Sequence, residues 1–399
     1  MSNSLDAVKQ RIKDHVDQIH PHLRTISHTL HDDPELGLQE HRAVARLTEE
    51  LEEHGFQVDR GVAGLETAFV ASYGSGEPVV AIIAEYDALP KLGHACGHNL
   101  IATWAIGAGI ALRHALPQLG KEIQGTIKVV GTPAEESAGG KVTMTDQGVF
   151  GGVAAAMMIH GADRTLLNRG SLAVTPCEVE FFGRSSHASS QPSAGISALD
   201  GILQVFFGVN QLRQMMRPLA RVHGVITDGG DAPNVIPDHA AASFLVRERD
   251  EDALEKLLQR FRGIVEGAGQ ATGARPVLQE GTHYKARECN ESLVETFGAN
   301  ADQLGVEHES AAGVGMGSSD IGNVSYEVPT IHPYLQIAPR GTNAHTPAFA
   351  EAAASPLADE RIATGATLLA WTAADVLLRG EVRSELRRTF NEKFGRDPA

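Results

Sequence analysis

Three apolar runs of strand length mark the first part of the chain, and each gives way to polar side chains. They are VVAIIA (79–84) before Glu85, TIKVV (126–130) before GTPAEES, and VAAAMMI (153–159) before His160. Short unbroken apolar runs predict strands covered on both faces, as in a parallel sheet. Helical patterns lie between them: AVARLTEELEEHG (43–55), ended by Gly55, and the segment 100–116. This alternation predicts βαβ units, hence an α/β domain whose mixed, mostly parallel sheet is flanked by helices. Polar residues that follow such strands sit at their carboxyl ends, where open α/β sheets build their sites. The stretch LIATWAIGAGIAL (100–112) is too short to span a bilayer and is closed by Arg113, so it predicts a buried helix.

From about residue 173 the texture changes. LAVTPCEVEFFGR alternates like a half-exposed strand, ALDGILQVFFGVNQLRQM reads as a helix, and RVHGVIT and AAASFLVRER read as further strands. This pattern predicts a small α+β domain with an antiparallel sheet. After about residue 287 helix and strand alternate again, with VPTIHPYL (328–335) as a strand and a long helix near 359–378. The predicted organisation is a catalytic α/β domain in two parts, 1–172 and 288–399, interrupted by a smaller α+β lid at 173–287. The chain has no internal repeat and no low-complexity segment.

Charge and composition narrow the partners. A formal net charge of -16 and the lack of any Lys/Arg-rich block argue against nucleic acid or an anionic membrane. The first twenty residues carry charges from Asp6 onward and contain no apolar core of a signal peptide, so a cytoplasmic protein is expected. Three cysteines, Cys96, Cys177 and Cys289, with no CxxC, exclude a disulfide framework and fit a reducing compartment.

Candidate chemistry collects at the ends of the predicted strands. GHACGHN (93–99) places Cys96 two residues before His98, a spacing that lets a thiolate and an imidazole face one metal. A buried thiol beside a satisfied histidine explains the same pair in a chain with 18 histidines. Glu135 and Glu136 in GTPAEES can divide labour, one binding metal and the other taking a proton from an activated water, though paired glutamates also serve solubility on loops. His160 ends a strand and His345 lies in the polar loop GTNAHTPAF. Together these positions supply one thiolate, one carboxylate and three imidazoles, a set that suits two divalent ions sharing a bridge. Zinc and manganese both accept such ligands.

At this point the sequence resembles the co-catalytic metallopeptidases that include aminoacylase, glutamate carboxypeptidase and succinyl-diaminopimelate desuccinylase. Within them it is similar to the amidohydrolase branch of p-aminobenzoyl-glutamate hydrolase and the enzymes that cleave indole-acetyl amino acids. The segments HDDPELGLQEHRA, EYDALP, GHACGHN, GTPAEE, GRSSHAS, GGDAPNVIPD, GSSD and AHTPAF carry the resemblance, in that order along almost the whole chain. It implies that Cys96, His98, Glu136, His160 and His345 bind two metal ions, that Glu135 is the general base, and that Asp87 supports the site from behind. It also implies that His187, Asn234 and Arg247 in the lid contact the substrate, with His187 reaching a partner subunit's site in a homodimer. An imidazole or amide can stabilise an oxyanion, and a guanidinium can grip a carboxylate with two parallel hydrogen bonds. Gly317 to Asp320 is expected as a tight loop at the rim of the site.

Two departures stand out. Many relatives carry a metal-binding histidine two residues before the aspartate of the first motif, where this chain has Glu85. Asn99 follows CGH where the indole-acetyl branch usually has aspartate, which inclines the resemblance towards p-aminobenzoyl-glutamate hydrolase. The expected activity is metal-dependent hydrolysis of an N-acyl amino acid or dipeptide-like amide with a free carboxylate. Two other readings compete with it: a hydrolase with Cys96 as nucleophile and His98 as base, and a catalytically silent binding protein on the same scaffold. The first leaves Glu136, His160 and His345 unexplained, and the second would typically have lost Glu135 or a ligand.

Overall fold

The computed structural model describes residues 2–116, 124–312 and 314–395. Helix α1 (Ser2–Asp32) opens the chain and α2 (His41–Glu53) follows. α1 buries Val8, Ile12, Val16, Leu23 and Leu30, a single stripe at helical spacing, although Pro21 lies within it. Strands β1 (Gln57–Arg60) and β2 (Phe69–Glu85), helix α3 (His98–Ala115), strand β3 (Gln124–Thr132), helix α4 (Gly140–Asp146), and strands β4 (Val153–Met157) and β5 (His160–Ala162) complete this stretch. β2 runs parallel to β3 and, through Val79–Ile82, parallel to β4, while β1 pairs with it antiparallel. Every residue of α3 except Arg113 and His114 is buried, because α1 covers one side of it and the sheet another. The expected α/β architecture with a mostly parallel sheet is therefore present.

The chain then forms β6 (Ala173–Phe182), β7 (Ser186–His187), α5 (Ala198–Leu212), β8 (Arg221–Asp228), β9 (Val235–Ile236), β10 (His239–Glu248), α6 (Glu251–Thr272) and β11 (Arg275–Glu280). Four of these strands make an antiparallel sheet in the order β11-β6-β10-β8. β10 alternates strictly: Ala240, Ala242, Phe244 and Val246 are buried beneath α5 and α6, while Ser243, Leu245 and Arg247 line the half-open face. The core beneath the helices is built from Phe181, Ile202, Val205, Phe244, Leu254 and Phe261. Ser197 and Asp250 cap α5 and α6 by accepting hydrogen bonds from Asp200 N–H and Ala253 N–H.

The last stretch contains α7 (Glu291–Leu304), α8 (Ile321–Val324), β12 (Thr330–Ile331), β13 (Tyr334–Gln336), α9 (Pro347–Ala352), α10 (Pro356–Leu378) and α11 (Gly380–Phe394). Here the single strand expected over VPTIHPYL is two. β12 joins β4 and β13 joins β5, each in parallel, and the break falls at His332-Pro333. Pro333 has no N–H for a ladder, and its carbonyl instead accepts from His160 N–H at 2.9 Å. α10 packs on both α1 and α3.

The chain divides into two compact units: 1–170 with 288–316 and 323–399, and 171–287 with 317–322. The segment 317–322 clusters with the second unit, whereas the sequence pattern assigns it to 288–399. Leu172 N–H donates to Gly317 O at 2.7 Å and Arg247 donates to Ser318 Oγ at 2.9 Å. The second unit begins and ends at one point. Arg287 N–H donates to Ser171 Oγ at 2.7 Å, and Val174 and Tyr284 exchange backbone hydrogen bonds of 2.9 and 3.0 Å. No described helix is long and apolar enough to cross a membrane.

Candidate metal centre

The carboxyl ends of β2, β3 and β4 deliver three of the sequence-predicted segments to one rim. After β2 comes Asp87, after β3 the loop with Glu135 and Glu136, and after β4 comes His160. Cys96 and His98 stand at the start of α3, and His345 arrives from the loop before α9. The donor atoms of Cys96, His98 and His160 lie within 4.8 Å of one another, as do those of Cys96, Glu136 and His345. Cys96 is common to both sets, its Sγ 3.4 Å from His160 Nε2 and 3.5 Å from His345 Nε2. Glu85, His98 and Glu135 form a third set of the same tightness.

The histidine rings are turned for ligation. His98 Nδ1–H donates to Asp87 O at 2.8 Å and to Asp87 Oδ1 at 3.1 Å, and His160 Nδ1–H donates to Gly161 O at 2.6 Å. In a neutral ring these bonds leave Nε2 as the lone-pair atom. Without metal, burial would lower the His98 imidazole, but the Glu85 and Asp87 carboxylates outweigh it and hold it well above its usual range. His98 Nε2 is buried and makes no aligned hydrogen bond, although Glu85 Oε1 is 3.0 Å away. Glu136 Oε1 is buried in the same condition, 3.9 Å from His98 Nε2 and 3.2 Å from His345 Nε2. Buried polar atoms ordinarily have an aligned partner, so two that lack one and lie 3.9 Å apart fit a cation between them. His345 itself sits at φ 62°, a left-handed conformation held by its N–H donating to Ala95 O at 2.9 Å.

The electrostatics agree with ligation. Burial, with nearby His98, pushes the His160 imidazole down to about 4, so it is neutral near pH 7. Burial and then the Glu136 carboxylate push the Cys96 thiol up. That is the wrong direction for a free thiolate nucleophile, whereas a bound cation deprotonates a coordinating thiol.

The match to a family model decides the lineage: residues 81–370 match Peptidase family M20/M25/M40. The chain belongs to this family. Mouse Xaa-Arg dipeptidase is 34% identical over 98% of this chain and 94% of its own length. A p-aminobenzoyl-glutamate hydrolase chain of Escherichia coli K12 is 35% identical over 68% of this chain and 58% of its own length. Among solved structures, a dinuclear metal-binding peptidase of the M20 family from Bacillus subtilis superposes with a TM-score of 0.68 at 23% identity, covering 90% of this chain and 99% of its own. A putative aminohydrolase from methicillin-resistant Staphylococcus aureus gives 0.72 at 19% identity, over 92% of this chain and 100% of its own. As a member of the M20 family the protein is a metal-dependent hydrolase of amide bonds.

In this M20 chain the residue that replaces the usual first-motif histidine is accounted for. Glu85 is buried and ion-paired with Lys141 at the start of α4, itself fully buried, and with His98. Burial alone would raise the Glu85 carboxyl, but Lys141 and then His98 outweigh it and hold it well below the usual range. Lys141 is not evident from the sequence; its one signal there is a lone lysine following the glycines of AGG. His94, the first histidine of GHACGHN, belongs to none of the three donor sets and is buried near His31, pushed down to about 3 by burial and then by His98. Asn99 ties α3 to its neighbours by donating to Ser27 Oγ at 3.0 Å and Ala353 O at 3.1 Å.

The second unit carries the remaining predicted residues. β7 pairs with β9 so that His187 faces Val235, and Ala188 N–H donates to Asn234 O at 2.9 Å, which ties the two predicted segments together through their backbones. His187 Nδ1 accepts from Ser189 N–H at 3.3 Å, leaving Nε2–H as an exposed donor. Arg247 pairs with Arg221 across β10 and β8, and Arg213, Arg217, Arg221 and His223 line a recess at the start of β8. The recess gives this end of the second unit a basic lining in an acidic protein.

Proposed function

We infer that the protein hydrolyses the amide bond of a dipeptide-like or N-acyl amino acid substrate with a free carboxylate, using two divalent ions held by Cys96, His98, Glu136, His160 and His345. The observation that carries this reading is the pair of three-donor sets sharing Cys96, with His98 Nε2 and Glu136 Oε1 buried between them and lacking any aligned hydrogen bond. The ions, zinc or manganese, supply Lewis acidity and lower the pKa of water towards neutrality. Glu135 accepts the proton of the attacking water and returns it to the leaving amine. Asp87 orients His98 through Nδ1–H and holds the Glu135–Glu136 loop by accepting from Glu136 N–H at 2.9 Å. His187 Nε2–H and the Asn234 amide offer donors to the developing oxyanion, and Arg247 grips the substrate carboxylate. The names of the relatives, an Xaa-Arg dipeptidase and an aminobenzoyl-glutamate hydrolase, support a substrate of this kind. Three free, buried cysteines suit a reducing cytoplasm.

The test joins elemental analysis to a substrate screen that includes alanyl-arginine, p-aminobenzoyl-glutamate and N-acetyl amino acids. Expected are two ions per chain, hydrolysis of carboxylate substrates, and loss of both with a chelator. In the same screen Arg247→Ala should raise KM by about tenfold or more for carboxylate substrates and far less for their neutral amides, the scale of a lost charge-assisted hydrogen bond. Turnover that persists without metal and is abolished by thiol alkylation would replace this reading with a Cys96 nucleophile.

The working unit on this reading is a homodimer joined through the lid. β8 is an edge strand whose Val225 is 61% exposed, and Leu203 and Phe207, one turn apart on α5, are 49% and 59% exposed. An unprotected apolar edge is a pairing surface, and a second copy offers the same edge by two-fold symmetry. Sedimentation should give the mass of two chains, and Val225→Lys the mass of one. A wild-type chain that sediments alone removes the proposal.

A further inference from the structure

Glu40 lies in HDDPELGLQEHRA, a segment that none of the roles above explains. It stands where α2 begins, yet its side chain does not cap the helix. It turns inward and is completely buried. There Oε2 accepts from the hydroxyl of buried Thr67 at 2.7 Å, and Oε1 accepts from the backbone N–H of Ala134 at 2.9 Å. Ala134 immediately precedes Glu135.

Ala134 has an unusual backbone. Its φ is 58°, in the left-handed region that glycine enters freely and alanine enters at a cost. The conformation curls the chain so that Ala134 O accepts from Ala138 N–H at 3.1 Å and Gly139 N–H at 2.8 Å. The turn that carries both glutamates depends on it. Gly37, in the same segment as Glu40, lies so close that a Cβ there would sit 2.4 Å from Ser137 Oγ and 2.9 Å from Ala134 Cβ. At the other end of the dipeptide, Glu136 N–H is held by Asp87. Two buried carboxylates thus grip alternate amides, one on each side of Glu135.

We propose that Glu40 is a positioning residue: through Ala134 N–H it holds the left-handed turn that aims the Glu135 carboxylate. The proposal rests on the reading of Glu135 as general base. Glu40 touches neither substrate nor metal donor, so its effect falls on kcat and leaves binding nearly intact. An unfavourable conformation at an active site persists only where its surroundings over-determine it, and Glu40 is the partner of the Ala134 amide.

The experiment compares Glu40→Ala, Glu40→Gln and Glu40→Ala/Ala134→Gly on the best substrate of the screen, with metal content and amide exchange of residues 134–139 measured on each. Glu40→Ala should lower kcat by about a hundredfold, the cost of roughly an ångström of misplacement, with KM and metal content little changed and faster exchange in the turn. Glu40→Gln should stay near wild type, because the amide oxygen still accepts from Ala134 N–H while its NH2 donates to Thr67. Glycine at 134 adopts positive φ without strain, so the double variant should regain about tenfold in kcat over Glu40→Ala. A merely structural loss would not be relieved by a glycine placed in a tight turn. If Glu40→Ala does not fold, Glu40→Leu, which fills the same buried space and leaves Ala134 N–H without its acceptor, takes its place with the same rescue expected. Wild-type kcat in Glu40→Ala, or a fall that Ala134→Gly does not relieve, overturns the proposal. An inactive Glu135→Gln beside a fully active Glu40→Ala defeats this inference alone, whereas an active Glu135→Gln defeats the reading of Glu135 itself.

Discussion

Glu135→Gln protein should retain its metal and its KM while kcat falls by roughly a hundredfold or more, the usual scale for losing a general base. Its neighbour should behave differently. Glu136 Oε1 is the buried oxygen beside His345 and His98, so on the proposed reading Glu136→Gln replaces a ligand and should lower metal occupancy, with activity falling in proportion. The geometry makes the comparison a real contest, because Glu135 also belongs to a tight set with Glu85 and His98. If Glu135 were a ligand in that set, both variants would lose metal. Elemental analysis beside single-turnover rates separates the two assignments, and equal metal loss in the pair would contradict the division of labour.

Lys141→Met should destabilise the first unit by about 3–5 kcal/mol, the cost of removing one partner from a buried ion pair. Glu85 has no water to turn to, being 1% exposed, and its carboxylate is left with His98 as its compensating neighbour. The loss should depend on pH in a definite sense. With Lys141 gone, the largest lowering influence on Glu85 is lost and its folded pKa rises from the depressed value, so the folded variant holds the proton to higher pH than wild type does. The variant is then penalised least at low pH, and the penalty grows as pH rises through the raised pKa. Urea titrations of metal-free protein at pH 5 and pH 8 measure this directly. Glu85→Leu/Lys141→Met, which removes both charges, should recover most of the stability. A single variant as stable as wild type at pH 8 would mean that the pair carries no stability.

These two predictions lie on different sides of what the sequence could tell. Buried parallel strands read as unbroken apolar runs, so VVAIIA, TIKVV and VAAAMMI announced the sheet, and the strict alternation of β10 announced the antiparallel one. Helix α1 carries a thinner signal: Val8, Ile12 and Val16 stand at the four-residue spacing of a helix, but among many charges, and Pro21 interrupts the pattern. The division of VPTIHPYL at Pro333 depends on which of two neighbouring strands each half meets, a tertiary fact. Residue types and spacing pointed to Cys96, His98, Glu136, His160 and His345, and the structure gathers their donors at one rim. Glu40 and Lys141 stayed hidden for one physical reason. A charged residue in a sequence reads as surface, and only the fold reveals that it is wholly buried against a specific partner.

The meeting of Ser171 and Arg287 has a consequence for how the chain is made. The second unit closes on itself once residue 287 has left the ribosome, lacking only 317–322. The first unit cannot close so early: α3, apolar almost all round, waits for α10 to cover it, and α10 follows the whole second unit in the chain. A nascent chain therefore carries a nearly complete insert beside an open parent domain, with an apolar helix left uncovered until α10 emerges.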